Sequence, residues 1–380
     1  MTVVVSGARS LFALKTARAF AAAGARVITT DSLAVATAGV SRGSHRYVRT
    51  SVPIVEPLQF QEDVIRLFKE ERPDLWIPSY EEIFYLAWLR KNKLPELPLL
   101  APSFAQLAQV HDKGQFAELA RSLSISPPET IRLTETVHLT SLANRAREFV
   151  FKPIWSRGGD RVLVQPTPEQ LSSLRPTPQD PWLAQTYLPG EEISVHAIAN
   201  HGQLLTHIAY RPLHRAGHGA SIAFEQVFEP EAENFTRLFI ETTKWHGQVA
   251  FDLRRDATGH LLPIECNPRA TSGIHFLRDE DLVAALTGHK PTMEKAGQKL
   301  VIRLALLTYG LTAALHGGNA LTLWKDCFNG RDIIWRKNDP RPYFQQIAFI
   351  RQADQIARDR KISIHAAFTD DLEWNGQPMA

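Results

Sequence analysis

The segment Ile264-Glu265-Cys266-Asn267-Pro268-Arg269 sets a carboxylate, a side-chain amide and a guanidinium close together, and Asp252 adds a second carboxylate thirteen positions upstream of Glu265. Asp252 lies in the apolar run Gln248-Val249-Ala250-Phe251-Asp252-Leu253, and the polar, glycine-containing stretch Asp256-Ala257-Thr258-Gly259-His260 separates it from the run that carries Glu265. Two such runs around such a turn are expected to be neighbouring antiparallel strands, with both carboxylates facing one cavity. Glu265 and Asn267 are two residues apart and so project from one face of their strand. Hard oxygen donors in that arrangement suit Mg2+, which keeps several waters and takes one or two carboxylates together with the phosphates of a substrate. Asp252, Glu265 and Asn267 are therefore the candidate metal ligands. Alone, such a set is usually no more than solvated charge beside a hairpin turn; the rest of the chain argues for chemistry.

Further chemistry-bearing segments precede this one. His111-Asp112-Lys113 is expected to open a helix, and Phe149-Val150-Phe151-Lys152-Pro153 to be a strand that ends in a lysine. Two lysines reaching from different elements can neutralise a polyphosphate as point charges. An exposed helix position would explain Lys113 by itself, whereas a lysine closing an apolar strand is poorly placed unless an anion meets it. In Ser156-Arg157-Gly158-Gly159-Asp160-Arg161 the glycine pair lets backbone N–H groups approach phosphate oxygens, with Ser156 and Arg157 as helpers, before a short strand at Val162-Leu163-Val164. Cys266 alternates with its neighbours and should point into the core. His214 and His218 are four apart, but the proline and glycines of residues 210–220 speak against a helix that would aim both at one zinc; the stretch reads as a basic loop over a substrate or a plain surface loop.

The order of these segments, ending in Ile-Glu-Cys-Asn-Pro-Arg, resembles the ATP-grasp superfamily, in particular its carboxylate-amine ligases and its carbamoyl-phosphate-synthetase-like and biotin-carboxylase-like enzymes. The motifs cover about residues 110–270. The resemblance implies that Lys113 and Lys152 are the paired phosphate-binding lysines. It also implies that Gln185 and Tyr187, in Ala184-Gln185-Thr186-Tyr187-Leu188, mark the segment whose backbone holds adenine, and that Glu192, seven residues on, binds ribose. Gln185 departs from the more usual glutamate, and Glu191 reads as solvated. The D-x12-E-x-N spacing of Asp252, Glu265 and Asn267 is similar to that of D-alanine–D-alanine ligases. Arg269 is similar to the arginine of the carboxylase and synthetase branches, which would hold an acyl phosphate and the oxyanion formed when a nucleophile attacks it. The cofactors implied are ATP and Mg2+, with Mn2+ able to substitute; the partners are a small carboxylate and an amine, and a homodimer is compatible. The implied reaction forms an amide through an acyl phosphate and releases ADP and phosphate. The same residues could serve a biotin-type carboxylase, although the chain has no Met-Lys-Met biotinylation site, or an ATP-binding regulatory protein without turnover.

The elements that must position these residues are legible in outline. Residues 2–31 read as strand, alanine-rich helix, Gly24 stop and strand, a βαβ unit with a parallel sheet. Arg9 and Phe12 stand where a dinucleotide motif needs its second and third glycines, which speaks against NAD. A helix near 60–70, a strand at Asp74–Pro78 and a helix from Glu81 to Lys91 follow, and Pro95, Pro98 and Pro102 mark a boundary. The expected fold is α/β and α+β: an N-terminal parallel βαβ domain (1–102), a two-subdomain ATP-grasp domain (103–290) and a mostly helical α/β extension (291–380). Within these, a short helix is expected at Glu169–Leu174, helices near 300–315 and 343–360, and a strand at Asp332–Trp335.

The whole chain has 380 residues, 44% apolar and 22% charged, an ordinary globular composition with room for more than one core. Net charge is +3 with no Lys/Arg block and no zinc-finger spacing, which argues against nucleic acid. Cys266 and Cys327 cannot build a disulfide scaffold. A cytoplasmic location fits, the N-terminus lacks signal-peptide character, and the apolar stretch Leu304–Leu315 is too short to span a membrane and reads as a buried helix.

Overall fold

The computed structural model of the chain describes residues 1–155, 161–215, 221–292, 297–308, 320–364 and 366–379. Its N-terminal part is the expected βαβ unit, extended: β1 (Thr2–Ser6), α1 (Leu11–Ala22), β2 (Arg26–Asp31), β3 (Arg46–Arg49), α2 (Pro57–Glu71), β4 (Leu75–Ile77) and α3 (Glu82–Asn92). The four strands are parallel in the order β3-β2-β1-β4. The unbroken Val3-Val4-Val5 run suits a parallel sheet covered on both faces. Val4 packs with α2 and α3, while Val3 and Val5 pack with α1. Ser10 starts α1 by accepting from the Ala13 amide at 3.1 Å. Gly7 is required at its place, because its φ is +69° and a Cβ there would stand 3.0 Å from the Glu82 carboxylate.

Two helices lead into the next layer, α4 (Phe104–His111) and α5 (Lys113–Ser122). His111-Asp112-Lys113 is thus a junction, not the single helix start expected from sequence. Asp112 leaves helical geometry, and its carboxylate accepts from the Gly114 and Gln115 amides, so α4 ends and α5 begins around one cap. A four-stranded antiparallel sheet follows, from β5 (Thr130–Leu133), β6 (Phe149–Pro153), β7 (Leu163–Val164) and β8 (Trp182–Thr186) in the order β5-β8-β6-β7. Together with α6 (Val137–Leu142) and α7 (Pro168–Ser172, against the expected Glu169–Leu174) it has a core of its own around Phe149, Phe151 and Trp182.

The large sheet comprises β9 (Glu192–Asn200), β10 (Gln203–Arg215), β11 (Ser221–Val227), β12 (Gly247–Arg255), β13 (Leu261–Asn267), β14 (Lys299–Val301) and β15 (Arg331–Asp332), in the order β13-β12-β9-β10-β11-β14-β15. Helices α8 (Pro230–Thr243) and α9 (Asp279–Leu286) accompany it. The β12–β13 hairpin forms as expected, with Asp252 directly opposite Glu265. The loop expected at 210–220 is corrected in its first half: residues 210–215 prolong β10 against β11, and Pro212 sits beside two register shifts, where a strand tolerates proline. His218 lies outside the described residues. His214 Nε2 lies 2.9 Å from Asp326 Oδ2, within hydrogen-bond distance.

The last part contains α10 (Ala320–Asn329) and α11 (Arg341–Arg360). The helix expected from about 300 begins later: residues 299–301 are β14, residues 303–308 are helical, and 309–319 lie outside the described residues. Leu306 in that helical turn is buried but Leu307 is exposed, and the strand expected at Asp332–Trp335 is only Arg331–Asp332. Cores cross the boundaries near 102 and 290. One cluster runs from α2 and α3 through α4 to β9 and β12, and another joins α1 to β10, α9 and β14. Arg18 reaches Asp339 at 2.8 Å, and Arg9 is wedged between Asp31 (2.6 Å) and Asp371. Among the described residues no helix is long and apolar enough to cross a membrane.

Arg9, Asp31 and Asp371 are all buried, so removing the cation leaves two carboxylates facing each other without water. Arg9→Ala should cost about 3–5 kcal/mol, the usual penalty for breaking a buried pair, read as a lower urea midpoint. Burial opposes ionisation of Asp371, but its hydrogen bond and ion pair with Arg9 hold the carboxyl below its ordinary value. That stabilisation is therefore complete above the unfolded pKa of about 3.9 and is lost as pH falls through the lower folded value. An unchanged midpoint for Arg9→Ala would contradict this account.

Candidate active site

The site is built on the β12–β13 hairpin and closed by residues from α5 and β6. Lys113, the first residue of α5, is buried; its Nζ lies 3.5 Å from Glu265 Oε1 and donates to the Ile154 carbonyl at 3.2 Å. Lys152, near the end of β6, is also buried and donates to the Ile264 carbonyl at 3.3 Å. Desolvation lowers the Lys152 ammonium to about 8 even though Glu265 favours its charge. Desolvation also opposes the charge on Glu265, but Lys113 and Lys152, and after them Arg269, hold its carboxyl below the usual range. Asp252 is pushed up to about 6, first by desolvation, then by Glu265 and Glu192. Its oxygens accept from Ser194 Oγ at 2.7 Å and Asn267 Nδ2 at 3.0 Å.

Arg269 completes the group. One guanidinium nitrogen donates to Asn267 Oδ1 at 3.2 Å and another to the Ala270 carbonyl at 3.2 Å. Its Nε lies 3.6 Å from Glu81, and its plane rides 4.9 Å from the Tyr80 ring, so the loop after β4 supplies one wall. Lys113, Lys152, Asp252, Glu265, Asn267 and Arg269 thus converge from α5, β6 and the β12–β13 hairpin, three parts of the chain that lie far apart in sequence.

The remaining expected residues are placed as follows where they are described. Gln185 is buried in β8, and its side-chain amide donates to Thr130 Oγ1 at 3.1 Å. Tyr187 spends its own amide on the Glu148 carbonyl at 2.8 Å and carries Arg254 over its ring. Glu192 opens β9 and is held by Arg215. Glu191, expected to be solvated, is half exposed but pairs with Arg211 at 3.0 Å. Ser156, Arg157, Gly158 and Gly159 lie outside the described residues. Cys266 is buried, as expected.

Sequence reasoning did not find Ser194, Tyr80, Glu81 or His111. Ser194 pairs with Asp252 across β9–β12, a contact no local period announces. His111 is kept neutral, its pKa lowered to about 3 by burial and then by Lys113, and it donates to the Trp374 carbonyl at 3.0 Å.

The donor set is hard: two carboxylates and an amide oxygen, with no cluster of three or more His, Cys, Asp or Glu side chains among the described residues that would suit a softer ion. That chemistry fits Mg2+ completed by phosphate and water oxygens. Asn267 has its oxygen turned to Arg269 and its nitrogen to Asp252, so joining a cation requires the amide to turn.

Residues 178–282 match a family model described as ATP-grasp in the biosynthetic pathway with Ter operon. Among curated proteins, the carbamoyl phosphate synthase large chain of Clostridium botulinum (strain Loch Maree / Type A3) is 24% identical over 238 residues, covering 58% of this chain and 22% of that one. The large chain from Clostridium perfringens is 24% identical over 250 residues, covering 60% and 23%. The chain therefore spans less than a quarter of the length of these relatives. Among solved structures, N5-carboxyaminoimidazole synthetase from Staphylococcus aureus superposes with a TM-score of 0.61 at 14% identity, covering 78% of this chain and 80% of that one. The biotin carboxylase domain of the Hydrogenobacter thermophilus 2-oxoglutarate carboxylase, determined with MgADP, ADP and bicarbonate, gives 0.62 at 13%, covering 78% and 72%. The chain has an ATP-grasp fold. The resemblance and fold class expected from the motif order hold. The matched family segment takes in the ATP-grasp hairpin with Asp252, Glu265, Asn267 and Arg269, as well as Gln185, Tyr187 and Glu192, while Lys113 and Lys152 precede it.

The balance at Lys152 can be measured directly. Competitive labelling with an amine reagent across pH should give Lys152 a midpoint of about 8, against its ordinary 10.5. Glu265→Gln removes the charge that favours the ammonium and should lower the midpoint further. A midpoint at the ordinary value would show that Lys152 is not desolvated.

Proposed function

We propose that this chain is an ATP-dependent ligase that phosphorylates a small carboxylate and joins it to an amine, releasing ADP and orthophosphate. The observation that carries this reading is the Glu265 carboxylate, which stands between Lys113 and Lys152 and opposite Asp252, with Arg269 beside it. Two buried lysines gathered at one carboxylate are set to take the charge of a polyphosphate. Asp252, Glu265 and Asn267 would hold Mg2+, which when bound supplies neutralisation and orientation of phosphate oxygens. Gln185 and Tyr187 mark the adenine segment, Glu192 takes the ribose, and Ser156, Arg157, Gly158 and Gly159 are assigned to phosphate binding on the strength of the motif order. Because the Tyr187 amide already donates to Glu148, adenine recognition falls to other backbone groups of that segment.

The transfer forms a bond between a substrate carboxylate oxygen and the γ-phosphorus and breaks the β–γ bridge, so ADP leaves. The amine nitrogen then attacks the acyl carbon, and orthophosphate departs. Arg269 faces the charge that develops on the acyl phosphate and oxyanion, and Tyr80 and Glu81 fix its plane. Most of the catalysis is then positioning and charge neutralisation. In this reading residues 103–290 are the ATP-grasp domain, preceded by 1–102 and followed by 291–380, and the enzyme works on small molecules in the cytoplasm.

The likeness to N5-carboxyaminoimidazole synthetase and biotin carboxylase structures favours a second reading, in which the carboxylate is bicarbonate and the product a carboxylated amine. Dependence of ADP release on bicarbonate separates the two.

A panel of carboxylates and amines scored for nucleotide products is the direct test. ADP with orthophosphate is expected, whereas AMP with pyrophosphate would refute phosphoryl transfer. Nucleotide binding without turnover on any pair would favour a regulatory ATP-binding protein. Arg269→Ala should lower kcat by about 100- to 1,000-fold while Mg-ATP affinity stays near native. Lost affinity with intact kcat would make Arg269 a nucleotide ligand.

A further inference from the structure

The turn between β4 and α3 that supports Arg269 is itself held by a buried acid. β4 ends at Ile77, Pro78 has no N–H to offer, and the Ser79 and Tyr80 amides precede α3 and so stand outside its helical ladder. Ser79 is fully buried, so its amide needs an acceptor other than water. Glu82, the first residue of α3, folds its side chain back to supply one. Its Oε1 accepts from the Ser79 amide at 2.9 Å, the Tyr80 amide at 3.3 Å and Ser6 Oγ at 2.8 Å. Ser6 Oγ in turn accepts from Trp76 Nε1 at 3.3 Å, which ties the carboxyl to β1 and β4 together. From the large sheet, Gln248 Nε2 donates to the Pro78 carbonyl at 3.4 Å and grips the same turn.

Glu82 is buried, and among the described residues no cation pairs with it. Burial, with Asp31 adding to it, raises its carboxyl above the ordinary range. Its second oxygen, Oε2, has no hydrogen-bond partner; like Thr30, whose hydroxyl is also unpartnered, Glu82 lines a cavity of about 20 Å³ at the mouth of the parallel sheet. The surroundings therefore ask of residue 82 an acceptor oxygen at the reach of a glutamate side chain, and not a charge. What that oxygen holds leads directly to Arg269. Tyr80 presents its ring 4.9 Å from the guanidinium and 6.5 Å from the Phe12 ring, and Glu81 Oε1 stands 3.6 Å from the Arg269 Nε.

We propose that Glu82 is a positioning residue of the reaction: by holding the Ser79 and Tyr80 amides it sets the place of Tyr80 and Glu81, and through them the guanidinium of Arg269. The inference rests on the role given to Arg269 in the ligase reading above. The metal and phosphate groups are carried by α5, β6 and the β12–β13 hairpin, so displacing the turn acts on turnover and leaves the binding of Mg-ATP near native. Small displacements suffice, because a donor aimed at a developing charge loses its effect when it is moved by about 1 Å.

Reach and charge can be separated in the full chain. Glu82→Gln keeps the acceptor oxygen and discards the charge, whereas Glu82→Asp keeps the charge and draws the oxygen back by one methylene. Both keep a polar side chain in place and so avoid the stranded amides that Glu82→Ala would leave. Glu82→Gln should hold kcat within about twofold of the wild type. Glu82→Asp should lower kcat by about 10- to 100-fold with Mg-ATP affinity near native. Because the effect passes through Arg269, Glu82→Asp should add less than about twofold to the loss already present in Arg269→Ala. The rate at which phenylglyoxal modifies Arg269, read by mass spectrometry without any substrate, should rise several-fold in Glu82→Asp and stay at the wild-type value in Glu82→Gln. Equal behaviour of the two Glu82 variants, or losses from Glu82→Asp and Arg269→Ala that multiply, would overturn the inference and leave the ligase reading standing. If the wild type turns over no pair of carboxylate and amine, the ligase reading fails by itself; an Arg269 labelling rate unmoved by Glu82→Asp then sinks the positioning role separately.

Discussion

The cost of keeping charges out of water governs this molecule, and it is concentrated at Glu265. A recessed carboxylate is tolerable only where cations are held against it, and here they come from two separate elements, the first turn of α5 and the end of β6. Neither lysine is placed where its own element wants it. Lys113 stands at the positive end of a helix, where a cation is disfavoured, and Asp112 answers with a carboxylate on the same amides, itself bound by Arg132 at 3.0 Å. Lys152 loses water strongly enough that its ammonium is lowered to about 8. Their common reason is the hairpin opposite, so the small sheet, α5 and the large sheet are locked in one arrangement by charges that no single element would stabilise.

That arrangement needs rigid support, and the N-terminal sheet and the last residues of the chain supply it. Trp374 stacks on Phe84 at 5.1 Å, lies against Phe104 and Trp155, and accepts from His111 through its carbonyl. His111 is adjacent to the Asp112 cap, so residues 366–379 brace the turn that aims Lys113. Gly376 lies so close to Trp155 that a Cβ would meet its ring at 2.6 Å, which fixes the segment against the strand end beyond Lys152. One aromatic cluster thus buttresses both lysines.

What was legible in the sequence is what depends on local spacing. The hairpin, the opposed Asp252 and Glu265, the shared face of Glu265 and Asn267 and the inward Cys266 all follow from strand alternation and a glycine turn. The parallel start followed from a valine run and a glycine stop. Motif order supplied Lys113 and Lys152, which composition would have left on the surface. The rest was hidden because its cause is tertiary. Residues 210–215 look like a loop, with a proline among basic residues, and become strand only because β11 offers a partner. The α4–α5 break at Asp112 is invisible to helical periodicity, and Ser194, Tyr80 and Trp374 gain their roles from neighbours far along the chain.

The N-terminal unit shows how one architecture can be turned to another purpose. Its β1-α1-β2 turn has the shape that presents helix N–H groups to a dinucleotide, and Asp31 ends β2 where an acid would meet a ribose. Arg9, standing where that motif keeps a glycine, reaches this very acid, donating to it from backbone and side chain, and the pair then binds Asp371 and Ser32. The groups that could have held a nucleotide are thereby consumed in anchoring a distant part of the chain, and buried Leu372 lines the small cavity left beside Gly7 and Asp31. What the sheet retains for chemistry is the loop after β4. Through Tyr80 and Glu81 it fixes Arg269, and so the parallel sheet acts on the cleft through that guanidinium.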